Sequence, residues 1–371
     1  MATKKILYVG VDVDDKSFHG AGLCLSTGET FQFKCRPTAG ALVQRLYKMR
    51  ENGFEIKVCY ESTYIGYTLY HSLKKADIYC EIIASSLIPS QSGKQVKTDR
   101  LDSIKLAEYF GKGLLTSVHI PTPEDEKVRD LIRSRNFLVS LQKDLKKHIL
   151  SLCRRNDINY RQETNKKSYW SDTHIKWLNT RTKKLKNSTL RFNFELLLSQ
   201  YDIANGSIET ATVEIEKISE TPKYKRAKNA LNCFRGLDTL SSMTLITEIG
   251  DIRRFKHPTK LSSYAGFDIR EYSSGGKAKR YNITKMGNKR IRTVSVESCQ
   301  FAAKPKLISK RLKNKRKGQS AKVIAVADRC MNRLHKKSTK MMYAGKNTNV
   351  TKVACARELL SFIWEVLYLV A

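Results

Sequence analysis

Residues 5–13, KILYVGVDV, are apolar and β-branched almost throughout, the composition of a central strand. Two further runs of strand character follow at 18–25 and 31–35, ahead of a helical stretch at 38–49. FEIKVCY (54–60) is another strand and ends at Glu61, residues 64–76 read as a helix, and DIYCEII (77–83) as a further strand. A Ser-rich loop then leads to a helix at about 99–110 that Gly111 would end. Three strands in succession, then helices and strands in alternation, restrict this part of the chain to a mixed α/β sheet.

Four carboxylates occupy telling places in that pattern. Asp12 lies inside the first strand, Glu61 closes the fourth, and Asp99 and Asp102 stand three apart at a helix start. The element order suits a ribonuclease-H-like α/β fold over residues 1–122, which would gather all four on one side of the sheet. Carboxylates converging from separate elements are what divalent ions need to act on a phosphodiester, and the ions relieve the mutual repulsion. Hard oxygen ligands of this kind suit Mg2+ or Mn2+. Each residue also has a plainer reading. Asp99 and Asp102 could be a helix cap with its acidic partner, Asp12 a turn residue, and Glu61 a solvated strand end. Taken together, the set is better explained by metal binding. Asp14 and Asp15 follow Asp12 closely, and Asp14 shares its face but sits at the strand end.

Lys and Arg outnumber Asp and Glu by 69 to 35, a net charge of +34 spread along the chain. Such an imbalance is self-repulsive unless a polyanion screens it, so an extended nucleic-acid surface is expected, with affinity that falls steeply with salt. No lipidation motif or basic amphipathic anchor supports a membrane surface instead. ELLSFIWEVLYLVA at the C-terminus is too short to cross a bilayer, carries Glu365 and reads as a core helix. The nine cysteines lie far apart without a CxxC pair, as in reduced cytosolic proteins, and no zinc site is expected. No signal-peptide cleavage region precedes the first strand, so a cytoplasmic location is expected. The seven histidines show no metal-ligand spacing and receive no role.

Leu131, Leu138, Leu145 and Leu152 recur every seven residues, with Val128, Leu141 and Ile149 alongside. This spacing predicts a long amphipathic helix, half of a coiled coil. A second helical run at about 192–219 stops at Pro222, so residues 123–222 read as an antiparallel stalk with a basic insertion at 159–186. Within the insertion, Tyr169, Trp170 and Trp177 could stack unpaired bases while Arg and Lys track phosphates. Alternatively the two tryptophans, seven apart, could anchor a helix face in a core. TPKYKRAKNA (221–230) reads as a hinge into a mainly α domain, 223–371, which opens with helix–turn–helix character. In that domain EYSSGGK places hydroxyls on a turn that a phosphate backbone can approach, with Lys277, Arg280, Lys285, Arg290 and Arg292 following. Its serine could be a nucleophile or part of a polar loop resting on backbone phosphate. Lys310, Arg311, Lys313 and Arg316, in KRLKNKRK, read as a phosphate- or RNA-contacting face.

GVDVDDK, the Glu61 strand, KTDRLD, GLDTLSSMTLITEIGD, YSSGGK, ITKMGN and ARELLSFIW, in that order, resemble one family. It is the DEDD insertion-sequence transposases, which include the Piv-type DNA invertases and the bridge-RNA-guided recombinases. The resemblance covers both terminal domains in order and spacing, and the stalk in character alone. It implies a RuvC-like N-terminal domain, similar to Holliday-junction resolvases, whose tetrad Asp12, Glu61, Asp99 and Asp102 holds Mg2+ or Mn2+. It further implies a C-terminal catalytic serine in a Ser-Gly pattern, which falls on Ser274 with Ser273 as its neighbour. A covalent phosphoserine intermediate, a guide (bridge) RNA, donor and target double-stranded DNA, and dimers assembling into a tetramer complete what it implies, in the nucleoid of a bacterial cytoplasm. A metal-only junction resolvase or nuclease is one alternative, and a non-catalytic nucleic-acid-binding protein with a decayed tetrad is the other. Two turns depart from the family pattern. Gly236-Leu237-Asp238 stands where Gly-x-Gly is usual, and no proline lies near Ile269.

Overall fold

A computed structural model of the chain describes residues 5–89, 99–274 and 277–371, with backbone alone for Asp99, Ser273, Ser274, Lys277, Ala278 and Arg280. The chain forms two compact units, 1–120 and 121–371.

The first unit contains β1 (Lys5–Val13), β2 (Phe18–Cys24), β3 (Thr30–Cys35), α1 (Ala39–Glu51), β4 (Phe54–Glu61), α2 (Thr68–Lys75), β5 (Tyr79–Ile83) and α3 (Asp99–Gly111). The sheet order is β3-β2-β1-β4-β5, with the first three strands antiparallel and β1, β4 and β5 parallel. This is the mixed sheet expected of a ribonuclease-H-like fold, and β1 is its centre. Leu7, Val9, Val11 and Val13 point to one face and are buried with Leu42 and Leu46 of α1 and Leu69 and Leu73 of α2. Alternation therefore turns Tyr8, Gly10 and Asp12 to the other face, where α3 lies.

Gly10 sets how closely α3 can approach. A Cβ there would stand 2.4 Å from the Ser103 carbonyl oxygen and 2.5 Å from the Ala107 nitrogen, both backbone atoms that cannot swing aside. Gly10→Ala is therefore expected to lift α3 and cost about 2–3 kcal/mol. Thermal unfolding together with amide exchange along α3 measures it; an unchanged exchange profile would show that the contact is slack.

The second unit begins with a helix pair, α4 (Pro123–Arg155) and α7 (Ser188–Ser219), with α5 (Tyr160–Thr164) and α6 (Asp172–Lys183) at its end. Arg135 Nε donates to Thr212 Oγ1 at 2.6 Å and Gln142 pairs with Asn205, so the two long helices run antiparallel. Two separate clusters hold them. Val128 and Ile132 pack with Ile215 near one end, and Ile149 and Leu152 with Phe194 and Leu198 near the other. Between the clusters Leu138 and Leu145 are half-buried and Leu141 is exposed, so the packing does not follow the heptad leucines as a continuous seam.

The expected hinge is a helix, α8 (Pro222–Asn232), with Tyr224, Ala230 and Leu231 buried. Pro222 occupies its first position, where proline starts a helix as readily as it stops one. Beyond it come α9 (Thr239–Ile249), α10 (Pro258–Tyr264), the hairpin β6 (Ile269–Ser274) and β7 (Lys277–Ile283), α11 (Lys289–Ser298), α12 (Lys310–Arg316), α13 (Ala321–Tyr343) and α14 (Thr348–Val370). Leu359, Leu360, Ile363 and Val366 of α14 are buried against Leu245, Phe267, Ile291 and Cys330, so this apolar helix is the core of the unit. Among the described residues no helix is long and apolar enough to cross a membrane.

Both departures from the family pattern have a local explanation. Asp238 caps α9, its carboxylate accepting from Ser241 N at 2.8 Å. Ile269 pairs with Ile283 at the base of the hairpin, a place where proline would remove a donor.

Candidate active site

Asp12 and Glu61 meet through strand register. Val11 pairs with Tyr60 on the parallel strands β1 and β4, so Asp12 and Glu61 come next, side by side at the C-terminal ends. Neighbouring strands lie about 5 Å apart. Both carboxylates turn to the α3 face: Glu61 lies two residues beyond Cys59, which is buried with Ile83 and Leu106 beneath that helix. Cys59 Sγ donates to the Leu106 carbonyl at 3.8 Å.

Helix α3 runs antiparallel to β1. Gly111 lies beside Tyr8, Tyr8 packs edge-on to Phe110 at 5.7 Å, and Ser103 with Leu106 covers Gly10. Its first turn, with Asp99 and Asp102, therefore reaches the Asp12 end of the strand. Asp102 is half-buried, while the side chain of Asp99 lies outside the described residues. Among the described residues, no three His, Cys, Asp or Glu side chains stand close enough together to hold a metal ion. The donor types nevertheless fit one. All are carboxylates on neighbouring element ends, a set suited to Mg2+ or Mn2+ rather than to a thiophilic ion.

Two neighbours of this site gave no signal of their role in the sequence. His19 on β2 is the cross-strand partner of Asp12 and is half-buried. Asp15 accepts a hydrogen bond from the Tyr64 hydroxyl, which ties the loop after β1 to the loop after β4 and pushes the phenol up to about 12.

Ser274 is the last residue of β6 and pairs with Lys277; its side chain, and those of Ser273, Lys277 and Arg280, lie outside the described residues. The base of the hairpin is held firmly. Gly266 and Gly287 have φ of +74° and +140°, and a Cβ on Gly287 would stand 2.3 Å from the Tyr264 carbonyl oxygen. Thr284 N donates to Asp268 O at 2.7 Å, and Asn288 N to Tyr264 O at 2.7 Å.

Comparison with known proteins agrees with this architecture. Residues 9–155 match a DEDD transposase model, and residues 228–311 match the transposase IS116/IS110/IS902 family. A putative transposase of Sinorhizobium fredii, y4qE, is 30% identical over 363 residues, covering 97% of this chain and 88% of its own. The chain belongs to the IS116/IS110/IS902 transposase family. It is an insertion-sequence transposase, an enzyme that cleaves and rejoins DNA. The transposase for insertion sequence element IS1533 of Leptospira borgpetersenii is also 30% identical, over 340 residues, covering 90% of this chain and 96% of that one.

Glu248 of the transposase anchors the hairpin to the long helix. It is buried on α9, takes Arg133 of α4 through both oxygens at 3.1 and 3.2 Å, and accepts from Asn288 Nδ2 at 2.8 Å. Arg290 Nε stands 3.7 Å away, and Arg129, fully within the fold, donates to the Thr247 and Glu248 carbonyls. Burial raises the Glu248 carboxyl, but Arg133, Asn288 and Arg129 together hold it below the ordinary range. Asp238 is likewise held low against burial by Ser241, and Asp125 by Tyr224, Thr122 and Lys223. Folded-state values below the unfolded ones give stability that is complete above the unfolded pKa and lost as pH falls. The melting temperature is therefore expected to hold at neutral pH and drop progressively below about pH 5. A pH series of melts checks this, and Glu248→Gln should flatten the acid limb.

The basic residues divide. Lys285, Arg290, Lys310, Arg311 and Lys313 are exposed. Arg292 is half-buried and donates to the Ala265 carbonyl at 2.6 Å, stapling the turn before the hairpin. Arg316 does not face solvent: at 8% exposure it donates to Cys233 O and Asp328, because the same helix face buries Leu312. Trp170 is a packing residue, with its ring against His174 and Tyr201 under Lys146. Tyr169 and Trp177 are half-buried, each with its ring against that of His174.

Proposed function

We propose that the transposase exchanges strands of its own insertion sequence through a phosphoserine at Ser274, with a structured RNA as guide and dimers assembling into a tetramer. Asp12 and Glu61 side by side, with Asp99 and Asp102 in the first turn of α3, support the metal-dependent part of this reading; Ser274, the RNA and the tetramer rest on the family resemblance. The four carboxylates would hold Mg2+ or Mn2+, which when bound supplies charge stabilisation to the scissile phosphate and the departing oxygen.

Ser274 Oγ attacks the phosphorus, forming an O–P bond as the strand's own P–O bond breaks. The serine proton leaves and the departing strand oxygen gains one, so charge balances. The hydroxyl of a second strand then displaces Ser274 and restores a phosphodiester. Bond number is unchanged across the two steps, so no external energy source is needed. Lys285, Arg290 and the exposed face of α12 bear on backbone phosphates. Base pairing to the guide supplies sequence choice, as in other RNA-guided systems. The family resemblance and the charge of +34 support the RNA and two duplexes as partners.

Purified protein, the element's flanking transcript, labelled donor and target DNA and Mg2+ test this on a denaturing gel. A protein-linked DNA band that requires the RNA and vanishes in Ser274→Ala is expected. Free hydrolysed ends that persist in Ser274→Ala would instead make the enzyme a metal-dependent nuclease with an inert serine.

A further inference from the structure

A cavity of about 530 Å³ opens where α4 ends and α5 and α6 begin. Its lining includes the rings of Tyr160, Tyr169, His174 and Trp177, the exposed Arg154 and Arg161, and one carboxylate, Asp157. The volume falls within the ordinary range of small-molecule sites.

Two buried polar atoms of residues that line the cavity are left over by the fold. Tyr160 is 2% exposed and His174 is 0% exposed, yet Tyr160 Oη and His174 Nε2 have no hydrogen-bond partner. Such orphans are rare in a native interior, and each forfeits its hydration without replacement. The imidazole's tautomer follows from its other nitrogen. Trp170 N–H donates to His174 Nδ1 at 3.1 Å, so the ring proton resides on Nε2 and lacks an acceptor. Burial also holds this imidazole below the ordinary histidine range, and therefore neutral. Around it the rings are ordered: Tyr160 meets His174 edge-on at 4.5 Å, Trp177 stacks on it at 5.8 Å, and Arg161 lies over Tyr169 at 5.2 Å.

Aromatic walls, a buried donor, a hydroxyl that can donate or accept, and guanidinium groups together match one kind of occupant in a protein that handles DNA. We propose that this cavity receives a single unpaired nucleobase, stacked on Tyr169 and Trp177, bonded at its edge by Tyr160 Oη and His174 Nε2, with its adjoining phosphates on Arg154 and Arg161. An unpaired base of DNA and one of RNA share this chemistry. The inference rests on the reading of the chain as a nucleic-acid enzyme, but not on Ser274 or on metal.

The test uses the full chain in EDTA, so that no strand is cut. Single-stranded DNA and RNA oligonucleotides carrying 2-aminopurine, and the same DNA as a blunt duplex, are titrated by fluorescence. Tyr160→Phe removes one hydroxyl without changing shape, and Arg161→Ala truncates an exposed side chain, so both should fold. Quenching of the single strands by wild type is expected, with affinity about tenfold weaker in Tyr160→Phe and duplex binding unaltered. The arm bound more tightly, DNA or RNA, identifies the source of the base. Equal binding of single strands by wild type and both variants would overturn the proposal, as would an equal loss of single-strand and duplex binding in Tyr160→Phe. Failure here leaves the Ser274 adduct test untouched, because that readout does not involve the cavity.

Discussion

Asp12→Asn is expected to lower DNA strand cleavage by about a thousandfold or more, the several kcal/mol that a metal-held transition state contributes. The melting temperature should stay within about 2 °C of wild type, as for a substitution that leaves packing intact. Asp12 projects from the central strand onto the face that α3 covers, next to Glu61, and an amide has the same shape but cannot balance the charge of a cation. The sheet does not depend on the carboxylate, since β1 is held by Leu7, Val9, Val11 and Val13 on its opposite face. Cleavage rate and thermal melt measured on one preparation separate the two effects. A variant that cuts at the wild-type rate would remove Asp12 from the chemistry.

Glu248→Ala should be strongly destabilising to the second unit. It would remove the buried anion shared by Arg133 and Arg290, leaving the exposed Asp130 3.9 Å from Arg133, and strip Asn288 Nδ2 of its acceptor. Removing one partner from a buried charged network costs about 3–5 kcal/mol. For a unit of this size, that lowers the melting temperature by about 6–20 °C. Amide exchange should rise at the 264–268 and 284–288 turns, which seat the Ser274 hairpin. Glu248→Gln keeps the shape and one acceptor, so its loss should be smaller; equal losses would mean that volume, not charge, is what the site needs.

Much of the first unit was legible because strand periodicity is local. KILYVGVDV is apolar on the face that becomes core, and Asp12 stands out against it. Glu61 and the start of α3 were placed by the same logic, and β1–β4 register then joined Asp12 to Glu61. His19 was invisible, since its nearness to Asp12 depends on cross-strand pairing rather than spacing. Glu248 was hidden for a similar reason. Its partners lie 115 residues before it and 40 after it, and in TLSSMTLITEIGD it looks like any helix-end acid.

The misreadings have equally specific causes. The run at 192–219 does end ahead of Pro222, at Ser219, but TPKYKRAKNA reads as a hinge whereas Pro222 begins α8. The run KRLKNKRK reads as one phosphate- or RNA-contacting face, but Leu312 and Arg316, four apart, share one side of α12 and turn inward together. Of the leucines seven apart in α4, Leu152 is buried in one end cluster and Leu131 packs on the other, while Leu138 and Leu145 between them are only half-buried.

We propose that four carboxylates from three elements, Asp12, Glu61, Asp99 and Asp102, hold metal together. Calorimetric titration of Mn2+ into the full-length transposase tests it most directly. Wild type should bind, and Asp12→Asn, Glu61→Gln, Asp99→Asn and Asp102→Asn should each weaken binding about tenfold or more. Four variants that all bind Mn2+ as wild type does would contradict it.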